Sequence, residues 1–120
     1  MKYLCMGYHD PRAWQAMSDK QRKAVLDDSI AWGKLLRKNG HCIDSTALQD
    51  GATGATLRFE TSGAMSITDG PFAETKEQLG GVMILEATDL NHAITLMSQM
   101  PCMRYGGSLE IRPINEELNF

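Results

Sequence analysis

The sequence is short of the features that mark specialised classes of small protein. It has three cysteines in 120 residues. Cys5, Cys42 and Cys102 cannot all pair within one chain, and none forms a Cys-x-x-Cys. That argues against a disulfide framework and for a reduced, cytoplasmic protein. Positive charge is not in surplus: 12 Lys and Arg face 15 Asp and Glu, for a net charge of −3. No affinity for a polyanion is implied, and nucleic acid is not an expected partner. No apolar run is long enough to span a bilayer, so no membrane partner is expected. The apolar stretch within residues 1–9 is too short for a signal peptide. Repeats, low-complexity tracts and linkers are missing. His9, His41 and His92 have no ligand spacing and stand near no cluster of Cys and carboxylates, so neither a metal nor a cofactor is expected. Gly80-Gly81 enters a strand, where a phosphate loop must enter a helix.

What is present describes one ordinary soluble domain. Apolar residues make up 42% and charged residues 22% of the chain, and this length buries a core without staples. Residues 2–8 read as a central strand, with neither Tyr3, Cys5, Gly7 nor Leu4, Met6, Tyr8 forming a polar face. His9-Asp10-Pro11 ends it. Ser18-x-x-Gln21 is a capping box, and a helix runs from there to about Asn39, stopped by Gly40. Val25, Trp32 and Leu36, with Ser29 between, share its inner face. Strands are expected over 42–48, 56–60 and 64–68, with a turn at 50–54. The strongest strand signal is 79–87, where Val82 to Leu85 is continuously apolar. Asp89 caps a second helix through Met100, Pro101 ends it, and 108–114 alternates as the last strand. The order predicts a ferredoxin-like α+β sandwich: an antiparallel sheet with two helices on one face. Its other face would be apolar and need cover, which points to a homodimer.

One segment does not behave as a plain turn. Asp69, Gly70 and Pro71 are turn chemistry, but Phe72, Ala73, Glu74, Thr75, Lys76 and Glu77 then add a large ring and three ionisable groups. A loop spending such residues on a short excursion is a candidate binding loop.

The run Asp69-Gly-Pro-Phe-Ala-Glu-Thr-Lys-Glu-Gln-Leu-Gly-Gly81 resembles the signature of the DGPF proteins, within the YCII-related family. Met1-Lys2-Tyr3 and the stretch from Gly107 to Ile114 are similar to that family too. The resemblance implies a bacterial protein built as a dimeric α/β barrel, two ferredoxin-like halves joined through their sheets. It also implies, for some relatives, a link to extracytoplasmic-function sigma factors. Some YCII-type members carry a His on the first helix and an Asp just before the Pro that ends the second, thought to act as a catalytic pair. Those places hold Ser29 and Met100 here. Neither does acid–base work near neutrality.

Asp69 reads two ways, as the proton-handling group of a site or as the cap of its own turn. Glu74 and Lys76 read as part of a polar site or as an exposed ion pair worth little. Tyr8 and His9 stand at the end of a central strand, where sites form. Arg104 and Tyr105 bring a cation and a phenol to a second loop. Together with Phe72 these residues define the expected ligand-binding set. The ligand is a small molecule, and an anion would suit Lys76 and Arg104. Two functions stay open: an enzyme whose pocket is lined by residues 69–76, or a non-catalytic metabolite-binding or regulatory dimer linked to a sigma factor.

Overall fold

The computed structural model describes residues 1–118. Lys2–His9 forms β1, and a six-residue helix, α1 (Pro11–Ala16), follows at once. From sequence alone Pro11 marks only a break. Pro is at home in the first turn of a helix, where its missing N–H is no loss. Asp10 caps α1, accepting from the Arg12 amide at 3.0 Å. Arg22 closes the other end by donating to the carbonyls of Trp14 (3.2 Å) and Met17 (2.6 Å). The long helix α2 (Asp19–Lys38) starts on the expected capping box, with Ser18 and Gln21 bonded reciprocally. It ends before Gly40, whose φ of 79° closes the C-terminus.

After β2 (Cys42–Ala47) and a 3-10 turn (Gly51–Thr53), β3 (Ala55–Phe59) and β4 (Met65–Asp69) make a hairpin. β5 (Gln78–Glu86) leads to α3 (Leu90–Met97), capped by Asp89 as expected but three residues shorter. A 3-10 turn (Pro101–Tyr105) and β6 (Ser108–Pro113) complete the fold. The main sheet is antiparallel in the order β2-β5-β1-β6, so β1 is central. This is an α+β arrangement consistent with a ferredoxin-like fold. The middle strands do not join it as a meander: β3 and β4 form a two-stranded sheet of their own.

Strand alternation sorts β1 and β5 into two faces. Tyr3, Cys5, Met83 and Leu85 pack with Leu36 of α2 and Ala93 and Met97 of α3 into one buried cluster. Both long helices therefore cover the same face. Leu4, Met6, Val82 and Ile84 lie on the opposite face, paired across the strands and only half-buried. No helix among the described residues is long and apolar enough to cross a membrane.

Candidate functional site

The loop after β4 turns at the expected Gly70 and Pro71 and is held by residues outside its own motif. Gly70 has φ 99°, a left-handed conformation that only glycine adopts cheaply. Its amide donates to the Gly54 carbonyl at 2.8 Å, and its own carbonyl accepts from the Thr56 hydroxyl at 2.9 Å. Pro71 lies so close to Gly51 that a Cβ there would sit 3.2 Å from it. Arg58 of β3 donates to the Phe72 carbonyl at 3.0 Å and sets its guanidinium 5.5 Å from the centroid of the Phe72 ring. The first half of the loop is thus pinned to the hairpin and the turn before it, and the Asp69 side chain takes no part in these bonds. The second half is tied to the far edge of the sheet. The Thr75 hydroxyl donates to the Glu77 carbonyl, and the Glu77 carboxylate accepts from the Ser108 hydroxyl at 3.0 Å.

Two cavities result, one under each half. The first, about 660 Å³, lies between residues 75–77, the end of β1 and the start of β6. Tyr8, Asp10, Lys76, Glu77, Tyr105, Ser108 and Glu110 line it. The second, about 740 Å³, lies between residues 70–73, the 51–53 turn and Leu79. Tyr8, Thr75 and Glu77 line both, so they form the wall between them. Gly107 keeps the first cavity open to β1. Its φ is 135°, and a Cβ would stand 2.7 Å from the Tyr8 carbonyl oxygen.

His9 is turned away from this region. A register shift between Gly7 and Tyr8 leaves Gly80 without a partner on β1, and the His9 ring lies over that glycine so closely that no Cβ would fit. Neighbouring residues on a strand point to opposite faces, so His9 faces the helix side. There it lines a third cavity of about 340 Å³ with Trp14, Cys102 and Tyr105.

The expected set therefore splits. Tyr8, Lys76 and Tyr105 meet in the first cavity, Phe72 lines the second and His9 the third. Asp69, Glu74 and Arg104 are exposed and line none of the three. The residues the sequence reading left out are Glu77, Asp10 and Ser108. Glu77 was visible as the last ionisable residue of the loop. Its contact with Ser108, 31 positions away, had no local signal. Asp10 is partly spent as a helix cap, and Glu110 pairs with Arg112 at 3.6 Å. Glu77 is left as the carboxylate fixed by a neutral hydroxyl and facing both cavities.

Ser29 and Met100 do not form an acid–base pair. The Ser29 hydroxyl is buried and makes no regular hydrogen bond among the described residues. It leans on the Cys102 thiol. Burial pushes that thiol's pKa up, while a backbone hydrogen bond and the Ser29 hydroxyl pull it down, and burial prevails. Cys102 therefore keeps its proton at neutral pH. Among the described residues no group of three or more His, Cys, Asp or Glu is placed to hold a metal.

Residues 1–117 match the YCII-related domain family, and the chain belongs to that family. An uncharacterized protein of Rhizobium meliloti is 30% identical over 115 residues, covering 95% of this chain and 92% of that protein. Among solved structures, 5-chloro-2-hydroxyhydroquinone dehydrochlorinase from Burkholderia phenoliruptrix, in complex with 2,5-dihydroxybenzoquinone, is similar with a TM-score of 0.57. That likeness covers 96% of this chain and 94% of the other at 14% identity, and it concerns the fold alone.

Proposed function

We propose that this member of the YCII-related family is a small-molecule enzyme whose site is the cavity between residues 75–77 and the end of the main sheet. It works as a homodimer, a dimeric α/β barrel joined through the open sheet face. The observation that carries the reading is the convergence of Tyr8, Lys76, Glu77, Tyr105 and Ser108 on one cavity of about 660 Å³. The lining decides the ligand class. An anion would meet one ammonium, Lys76, and three carboxylates, Asp10, Glu77 and Glu110. A compact hydroxylated ring fits better. Its O–H groups donate to the carboxylates, its face lies along the two phenols, and one acidic oxygen pairs with Lys76. Glu77, oriented by Ser108, is the group placed to take a proton from such a hydroxyl. The solved neighbour's ligand, 2,5-dihydroxybenzoquinone, belongs to this chemical class and supplies a first probe. The alternative of a regulatory module linked to a sigma factor finds no support in the fold or in the comparisons.

Titration calorimetry with 2,5-dihydroxybenzoquinone and simple hydroquinones tests the reading. Glu77→Gln and Lys76→Met are each expected to weaken binding by about tenfold or more. Asp69→Asn should leave it unchanged, because Asp69 lines neither cavity. Loss of binding in Asp69→Asn with retention in Glu77→Gln would move the site out of this cavity.

A further inference from the structure

The chain leaves much more surface uncovered than a protein of its mass normally does. It exposes 8663 Å², whereas a folded monomer of 13.3 kDa exposes about 6,500 Å². Its radius of gyration is 16.3 Å, against about 14 Å for a compact chain of this length. The excess has an address. β3 and β4 stand as an arm, and among the described residues its hydrogen bonds to the rest of the chain come from Gly54 and Thr56 at its base and from the long Arg58 side chain further out. The molecule is a slab of 47 × 42 × 19 Å. At that thickness the arm extends alongside the layers and does not fold back over them.

The arm has one apolar face. Leu57 pairs with Ile67 and Phe59 with Met65, and directly paired residues on alternating positions share a side. Their exposures are 50%, 63%, 70% and 49%. Thr56, Arg58, Ser66 and Thr68 fall on the other side. A lone two-stranded ribbon is marginal in water and needs a further layer.

We propose that the arm lays this face on a second copy of the chain, each copy giving its arm to the other, so that two arms lock the dimer beside its sheet-to-sheet contact. The four side chains present on the order of 500 Å² of apolar surface per copy, a patch of the size that marks an interaction site. A standard interface takes about 800 Å² from each partner. The arm therefore supplies over half of that, and the open face with Leu4, Met6, Val82 and Ile84 supplies the remainder. The partner is a second copy because the stretch from Leu57 and Ile67 to Phe59 and Met65 carries no charge, the one carboxylate on that side, Asp69 opposite Ala55, standing at the base of the arm. Its match is another uncharged apolar surface, and each copy offers one. Reciprocal exchange about a two-fold axis covers both surfaces at once and closes the assembly. Ala55 and Leu57, on the arm's apolar side, also line the second cavity, so the covered surface begins at that cavity's wall.

The inference rests on the homodimer reading, and the experiment separates the two. Light scattering over a dilution series compares the natural chain with the double variant Phe59→Lys/Ile67→Lys, with circular dichroism confirming that the variant is folded. The dissociation constant should rise on the order of 100-fold or more. A natural dimer with an unchanged constant in the variant sinks the arm and leaves the dimer. A natural chain that stays monomeric at micromolar concentration sinks both. A mass that grows beyond two copies sinks reciprocal exchange. Hydrogen exchange on the unaltered chain, above and below the dissociation constant, needs no variant. Residues 57–67 should exchange several-fold more slowly when concentrated, and identical exchange at both concentrations overturns the proposal.

Discussion

Leu85 and Ile67 are both aliphatic residues on antiparallel strands, and each faces a large apolar neighbour across its ladder. Leu85 pairs with Tyr3 and is 0% exposed, while Ile67 pairs with Leu57 and is 63% exposed. Local sequence treats them alike. The difference comes from the third dimension: α2 and α3 lie over the side of the main sheet that holds Leu85, while among the described residues the apolar side of the arm stays about half exposed or more. A strand's alternation says which side chains share a face. It does not say whether that face finds cover within the chain.

The largest test of this contrast is a matched truncation. Leu85→Ala should cost about 3 kcal/mol, the usual price of emptying a fully buried aliphatic site. Ile67→Ala should cost under about 0.5 kcal/mol when urea unfolding is followed at nanomolar protein, where the chain stands alone. At tens of micromolar the Ile67→Ala penalty should grow, because association stabilises only the folded form and does so with the logarithm of concentration. Equally small penalties at both concentrations would mean that the arm stays uncovered, and equally large ones that it is covered within its own chain.

The same contrast explains what could be read from the sequence. The main sheet and long helices were legible because their signals are local and mutually consistent. Ser18 and Gln21 box the start of α2, Gly40 stops it, Asp89 caps α3, and Val82 to Leu85 can only be a buried strand. The separation of β3 and β4 was not legible. Their alternation at Leu57, Phe59, Met65 and Ile67 is that of any half-buried pair, and whether they join the main sheet depends on the path after Ala47. α1 was hidden because Pro11 marks a strand's end and a helix's first turn equally well. In the site, Tyr8, Lys76 and Tyr105 came from strand-end and loop reasoning. Glu77 needed Ser108, which sequence distance concealed. Asp69 drew attention by its motif. The turn it begins is fastened instead by Gly54, Thr56 and Arg58.

A second test uses proton chemistry, which the core should show and the arm should not. The Cys5 thiol is pushed up to about 11, first by burial and then by the neighbouring Cys42. An unfolded chain ionises this thiol near 9. Below that pH both states keep the proton, and the thiol's contribution is fully present. Between about 9 and 11 only the unfolded state loses its proton, so stability falls as pH rises. Above 11 both states are ionised and the contribution is gone. The expected loss is on the order of 2–3 kcal/mol. Other groups titrate here too, so the comparison is of slopes: urea midpoints of Cys5→Ala should decline less steeply over this window than those of the natural chain. Arm variants such as Ile67→Ala should keep the natural slope. An equal slope in Cys5→Ala would mean that the thiol reaches water in the folded state.

The smallest effect is expected where the arm meets the loop, and it asks whether that junction belongs to the core or to the arm. Arg58 holds Phe72 by a hydrogen bond to its carbonyl and by its guanidinium over the ring, yet Phe72 is 79% exposed. At such a site a cation–π contact is worth about 0.5–1 kcal/mol, and the hydrogen bond is worth about as much. Arg58→Ala should therefore free the loop without unfolding the domain. Amide exchange of residues 70–74 should quicken several-fold, while the urea midpoint moves by no more than the Ile67→Ala variant does at nanomolar protein. Arg58→Lys keeps the charge but loses the flat fork that serves both contacts, so it should restore the loop only in part. The Glu77 half of the loop is fastened to β6 through Ser108 and should exchange as before. If residues 70–77 loosened together, the two cavities would share one mobile roof, and Glu77 could not hold a fixed position while Phe72 moved. If only 70–74 loosened, the wall formed by Tyr8, Thr75 and Glu77 would be a rigid partition belonging to the main sheet, with the arm and Phe72 as a separately movable flank.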